Sequence, residues 1–264
     1  MKTRNAPIWL IMAITAVSFL MLQCSKSEAS HMDEVYKYVS PAEKSLQLEE
    51  QNPDNDVIIQ CIYDCINSMP VEEISESELA AITYMREEEL LAHDVYVAMY
   101  ALYSVPVFNN ISKSETIHTT AMLALLEKYE LPDPAANHQQ GIFQELVLQA
   151  LYDTLTAMGS ASFQDALIVG ATIEDLDIND LMVDLANNVD NTDITYTLQQ
   201  LLRGSRNHLR AFHAHLTFQG LTYTPQYISQ ELYDEITSSP WQVGNGFCVC
   251  SFPAKDNSNI MRKE

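Results

Sequence analysis

Between residues 57 and 237 the apolar positions return every three, four or seven residues, the repeat of an α-helix with one face in a core. Few runs alternate with the period of two that a half-buried strand needs. Breaks in the helical repeat divide the chain into predicted elements. A short helix is expected over 57–69. The capping-box pattern Ser75-Glu76-Ser77-Glu78 opens a long helix over 76–103, ahead of Pro106. Further helices are expected over 112–129, stopping before Pro132, over 141–158, closed by Gly159, and over 162–185. The last two run over 193–219, stopped by Gly220, and 229–237. Loops are expected at 131–140 and 187–191. The class is all-α, with no repeat of solenoid type.

Polar residues interrupt the apolar faces at a few places. Glu89 lies on the stripe Ile82, Met85, Glu89, Ala92, Tyr96, Met99, Tyr103. Glu115 and His118 begin the stripe that continues through Met122, Leu125 and Tyr129. Glu174 interrupts Leu167, Gly170, Ala171, Ile178, Leu181 and Leu185, and His208 interrupts Leu198, Leu201, Ser205 and Phe212. A carboxylate on a buried face is costly unless something neutralises it. Each residue alone has an ordinary explanation. Glu115 could close a capping box with Ser112, and His118 could be a hydrogen-bonded core histidine. Glu89 could pair with Arg86, Glu174 with Arg206 or Arg210, and His208 could bond Ser205. All of these together, at these spacings, point instead to a bound cation. His31, His93, His138 and His213 fall off the stripes and read as solvent-facing or structural. Tyr84 and Tyr96 lie near Glu88 and Glu89, where tyrosine could relay electrons or quench radicals at an oxidising metal, but they read first as packing residues, and Met85, Met99 and Met122 as core filler.

Four of the predicted helices, 76–103, 112–129, 162–185 and 193–219, carry these residues, and a long helical crossover joins the second to the third. That is the layout of a ferritin-like four-helix bundle, in which two helices each give a Glu and two each give a Glu-x-x-His pair. Glu115-Thr116-Ile117-His118 has that spacing, and residues three apart share a helix face. Glu89 and Glu174 fit the lone glutamates. Ser205-Arg206-Asn207-His208 keeps the spacing but has serine in place of the second paired glutamate. Asp177, one turn beyond Glu174, is the first candidate to complete the set, followed by Glu88, Asn207 and His215. Carboxylate with imidazole suits iron or manganese, with zinc as a further option, in a site of one or two ions.

The segment Tyr84-Met85-Arg86-Glu87-Glu88-Glu89-Leu90-Leu91-Ala92-His93-Asp94-Val95-Tyr96 resembles the first helix of ferritin-like and rubrerythrin-like proteins, and Ser114-Glu115-Thr116-Ile117-His118 resembles the second. With Gly170-Ala171-Thr172-Ile173-Glu174 and Gly204-Ser205-Arg206-Asn207-His208-Leu209-Arg210-Ala211-Phe212, the set is similar to an uncharacterised ferritin-like family, domain of unknown function 2202, over roughly residues 70–238. The resemblance implies a fold and a metal centre but no particular activity.

Composition adds constraints. The net charge is −22, and loss of Lys2 and Arg4 with an N-terminal segment would take it to −24. Such a surface repels nucleic acid and anionic lipid headgroups. Residues 1–24 read as a signal peptide, with a basic start, an apolar run over 8–22 and Cys24 positioned for lipid attachment, although Gln23 stands where a small residue is usual. Residues 25–56 read as a tether, 57–241 as the helical domain, and 242–264 as a cysteine-containing tail. Cys61, Cys65, Cys248 and Cys250 could form disulfides in any of three connectivities, or a weaker-matching four-cysteine zinc site. Bridging Cys61 to Cys65 would strain a regular helix, whereas cross-pairing would staple the ends of the domain together. A nucleophile elbow, a phosphate loop, a Rossmann fingerprint and H-E-x-x-H are all missing.

The expected protein is therefore exported to a bacterial envelope, anchored to membrane through Cys24 if lipidated, and metal-binding. Its possible activity is redox chemistry on ferrous iron, oxygen or peroxide with an unidentified redox partner. The alternatives are a metal binder without turnover and a metal-free helical scaffold.

Overall fold

Capping chemistry sets where the helices begin. The computed structural model describes residues 55–243, 246–248 and 250; the expected signal segment, nearly all of the tether and most of the tail lie outside the described residues. The described residues form seven α-helices: α1 (Asn55–Ser68), α2 (Glu76–Tyr103), α3 (Pro106–Lys128), α4 (Leu146–Gly159), α5 (Phe163–Asn187), α6 (Thr192–Phe218) and α7 (Gln230–Ser238). No strand occurs among the described residues, which contain one isolated bridge, Gln139 to Ile142. The Ser75 hydroxyl accepts from the Glu78 amide at 3.2 Å, while Glu78 Oε2 accepts from the Ser75 amide at 2.9 Å. The other Glu78 oxygen accepts from the amides of Asp190 and Asn191, so one carboxylate both starts α2 and fixes the α5–α6 turn. The hydroxyls of Ser162 and Ser229 cap α5 and α7 by accepting from the amides of Asp165 and Leu232.

Two boundaries differ from expectation. Pro106 ends nothing by itself; Ser104 has already turned the chain at φ 54°, and Pro106 occupies the first turn of α3, six residues before the expected start. Its missing N–H and fixed φ suit that position. The helix expected from 141 instead begins at Leu146. Gly141 has φ 76°, and the buried Asp94 carboxylate on α2 holds the loop by accepting from the Gly141 amide at 2.6 Å and contacting His138 Nε2 at 2.9 Å.

The two closely packed pairs are α2 with α3 and α5 with α6, and contacts of α3 with α6 and of α2 with α5 join them. Helix α4 covers α2 and α5, α1 packs on α3, and α7 on α6. Gly170 permits the α5–α6 approach, because a Cβ there would lie 2.2 Å from the Phe212 ring. The core between the long helices holds Tyr96, Phe108, Phe212, Met85, Met99 and Met122, all fully buried. Lys128 fastens the lower end: its ammonium donates to the carbonyls of Ile66, Met69 and Pro70 and pairs with Asp193 at 2.6 Å.

The cysteines pair Cys61 with Cys248 and Cys65 with Cys250, at Cα separations of 4.7 and 5.6 Å. The connectivity left open by the sequence is thus the cross-pairing that joins α1 to the C-terminal segment. Closing a loop with a sequence separation of 187 residues removes about 5 kcal/mol of unfolded-chain entropy in the loop-closure picture. No described helix is long and apolar enough to cross a membrane.

Candidate metal centre

Each of the four long helices delivers ligand-type side chains to one interior point. Glu89 comes from α2, Glu115 and His118 from α3, Glu174 from α5 and His208 from α6, and all are buried. Their ligand atoms form two overlapping groups, Glu89 with Glu115 and His118, and Glu115 with Glu174 and His208, each within 4.8 Å. Glu115 belongs to both. Its Oε2 lies 2.8 Å from His118 Nδ1 and its Oε1 lies 2.9 Å from His208 Nδ1. Glu89 Oε2 is 3.1 Å from His118 Nδ1, and Glu174 Oε2 is 3.4 Å from His208 Nδ1. The two imidazole rings stack at 5.4 Å.

Neighbouring groups orient these side chains. The His208 Nε2 meets the Ser114 hydroxyl at 2.9 Å, which leaves Nδ1 facing the carboxylates. Gly204 makes room for His118, since a Cβ there would lie 2.4 Å from its Nε2. The Tyr96 hydroxyl donates to Glu174 Oε1. Outer partners of this kind fix tautomer and ring direction at metal sites.

The charges do not balance within the protein. Four carboxylates, Glu89, Glu115, Glu174 and Asp177, converge on two imidazoles. Burial pushes the Glu89 carboxyl up to about 8 despite the pull of His118. Burial and the nearby Glu89 and Glu174 hold Asp177 well above the carboxylate range. Burial disfavours charge on His208, but Glu115 and Glu174 outweigh it and raise that imidazole to about 10. Burial likewise opposes charge on His118, and Glu89 and Glu115 raise it well above its ordinary value. Glu115 alone moves down, because the two imidazoles overcome its burial. The interior therefore retains protons where it would otherwise be strongly negative, and a cation could replace them.

The structure answers several of the ordinary explanations. Ser112 is inside α3 and its hydroxyl donates to Asn109, so Glu115 closes no capping box there. Arg86 is turned to Asp133 and Thr119, and Arg210 to Ser239 and Asn207. Arg206 reaches toward Met182. Of the secondary candidates, Asp177 lies beside the centre and accepts from the Ser205 hydroxyl, while its Oδ1 has no hydrogen-bond partner. Glu88 is buried next to it with neither oxygen hydrogen-bonded. Asn207 is engaged by Gln242 and Arg210, and His215 lies in the last turn of α6.

Sequence reasoning missed the roles of Tyr96, Ser114 and Gly204. Tyr96 carried a usable signal, since it stands seven residues beyond Glu89 on the same face. Ser114 and Gly204 gave none, because their value lies in contacts across helices. His93 and His138 do have structural roles, both contacting Asp94 at 2.9 Å, and His213 meets Tyr233.

A profile of the family described as "Uncharacterized protein domain (DUF2202)" matches residues 78–240. The chain is 48% identical over 183 residues to the uncharacterized protein MJ0754 of Methanocaldococcus jannaschii, a match covering 69% of this chain and 98% of that protein. It is also similar to the crystal structure of hypothetical protein MJ0754 from Methanococcus jannaschii, with a TM-score of 0.65 and 48% identity, covering 66% of this chain and 99% of that one.

Proposed function

The chain belongs to the DUF2202 family, and from that premise we propose that it is a ferritin-like four-helix protein whose interior binds two iron-type cations. The observation that carries this reading is Glu115, whose two oxygens each face a different imidazole Nδ1, at 2.8 and 2.9 Å. A bridging carboxylate between two cations has this arrangement. The residues present fit such a centre. His208 Nδ1 lies close to Glu115 without the alignment of a hydrogen bond, and Glu89 Oε1 and Asp177 Oδ1 are buried without partners. Lone pairs that converge in this way suit a cation better than a shared proton.

In this reading Glu89 and His118 hold one ion, Glu174 and His208 the other, and Glu115 spans both. Asp177 stands in for the glutamate that Ser205 replaces, with the Ser205 hydroxyl holding its orientation. Iron bound there would supply electron transfer to or from ferrous iron, oxygen or peroxide; manganese or zinc suits the same ligands. The protein's own contribution is to exclude water and to keep the ligands fixed in advance. Export is part of the proposal: the two disulfides suit an oxidising compartment. The apolar run before Cys24 suits a lipid-anchored precursor.

The test is metal analysis of purified chain offered iron, manganese or zinc separately. About two ions per chain are expected, as in carboxylate-bridged bundles. Glu115→Ala should lose both and His118→Ala at least one, with helicity retained. A wild-type chain that binds no metal, and whose melting temperature ignores added cation, would return the cluster to a set of buried ion pairs.

A further inference from the structure

Two disulfides join the same pair of segments, although one would close the ring. Cys61 and Cys65 stand one turn apart on α1, and Cys248 and Cys250 follow α7. Once Cys65–Cys250 is made, Cys61–Cys248 encloses only the few residues between the bridges. It therefore removes less unfolded-chain entropy than the first bridge did. The two bridges also differ in surroundings. Cys65 is 3% exposed, beside the fully buried Ile62 and Ile66, and its partner Cys250 is half-buried against the core. Cys61 is half-buried, and Cys248 is exposed. Thiol–disulfide exchange needs a sulfur that a thiolate can reach, and exposed bridges are the labile ones. Cys248 is held in place by more than its bond. It ends the short turn Gly246–Cys248, where the Tyr196 hydroxyl donates to the Gly246 carbonyl at 3.3 Å and the buried Phe247 ring meets Tyr196 at 6.2 Å.

We propose that Cys61–Cys248 is a thiol-exchange site whose substrate is a dithiol, while Cys65–Cys250 is the permanent staple. A thiolate of the dithiol attacks the Cys248 sulfur. The bond to Cys61 breaks, Cys61 leaves as a thiolate that takes a proton from water, and a mixed disulfide forms on Cys248. The second thiol of the reductant attacks its own sulfur in that mixed disulfide and releases the Cys248 thiol. Two electrons pass to the protein, and the dithiol becomes a disulfide. Phe247 and the staple keep Cys248 beside α1, so an oxidised partner can close the pair again. The site does not depend on the metal centre.

The test uses the full chain with both disulfides formed and dithiothreitol as the probe. Samples are quenched with iodoacetamide, alkylated cysteines are identified by mass spectrometry, and helicity is followed by circular dichroism. Cys61 and Cys248 should become alkylated together, about tenfold or more faster than Cys65 and Cys250, with helicity unchanged. In a parallel sample left unalkylated, oxidised glutathione should restore Cys61–Cys248. Simultaneous opening of both bridges, or earlier opening of Cys65–Cys250, would overturn the assignment. So would loss of helicity with only the outer bridge open, or a mixed disulfide that persists on Cys248 instead of closing.

Discussion

Asp175 and Asp177 are two residues apart on α5, and both are buried, yet their surroundings are opposite. Asp175 accepts four hydrogen bonds, from the Tyr223 hydroxyl and from the amides of Gln226, Tyr227 and Ile228. It fastens the segment after α6 to the outside of the helix. Asp177 has one hydroxyl donor and otherwise meets carboxylates. Glu78 repeats the first case on α2 and Glu88 the second. Burial therefore does not identify a functional carboxylate here. The supply of donors does: where amides are provided the group is part of the scaffold, and where they are withheld the group awaits something else.

Substitution can separate the two classes. The largest effect on folding is expected for Asp175→Ala, which strands the buried Tyr223 hydroxyl and three backbone amides and should cost about 3 kcal/mol in urea unfolding, with metal content unchanged. Loss of metal in that variant would erase the distinction. Asp177→Asn should act the other way, weakening metal binding about tenfold in a competition titration. Its metal-free stability should hold or rise, because a buried unpaired carboxyl has been removed.

The smallest effect is on pH dependence. Between about 4.5 and about 8 the folded metal-free chain keeps a proton on Glu89 that the unfolded chain has lost, so stability falls as pH rises through that window. His208, raised to about 10, contributes stability that is fully present below its unfolded value of 6.5 and is lost as pH climbs toward 10. Glu115, depressed, acts below 4.5 with the opposite sign. The melting temperature of metal-free protein should therefore decline between pH 5 and pH 9, as a thermal melt by circular dichroism would show. Saturating metal should flatten the slope, and a flat profile without metal would mean that the cluster does not hold these protons.

The helices were legible because apolar periodicity is a local property, and so were Glu89, Glu115, His118, Glu174 and His208, which break that periodicity on the buried face. The boundaries at Pro106 and Leu146 were less legible. Proline both ends and begins helices, and the start of α4 depends on Asp94, distant in sequence, holding Gly141. Asp177 and Glu88 were legible as candidates to complete the ligand set, but their want of donors was not. Which amides and hydroxyls reach a buried carboxylate depends on the neighbouring helices, and no spacing within one helix records that. The choice of disulfide partners was likewise hidden, because it depends on where the chain returns after α7.

That return has a consequence for how the protein breaks. Cys61–Cys248 and Cys65–Cys250 enclose α2 to α7 within one covalent ring. A protease that nicks any loop from the α2–α3 turn to the segment after α7 releases no fragment: both halves migrate together until a thiol is added. The ring also joins α1 directly to the C-terminal segment, so tension applied at residue 55 and beyond residue 250 passes through sulfur and leaves the helices that surround the candidate metal ligands unloaded.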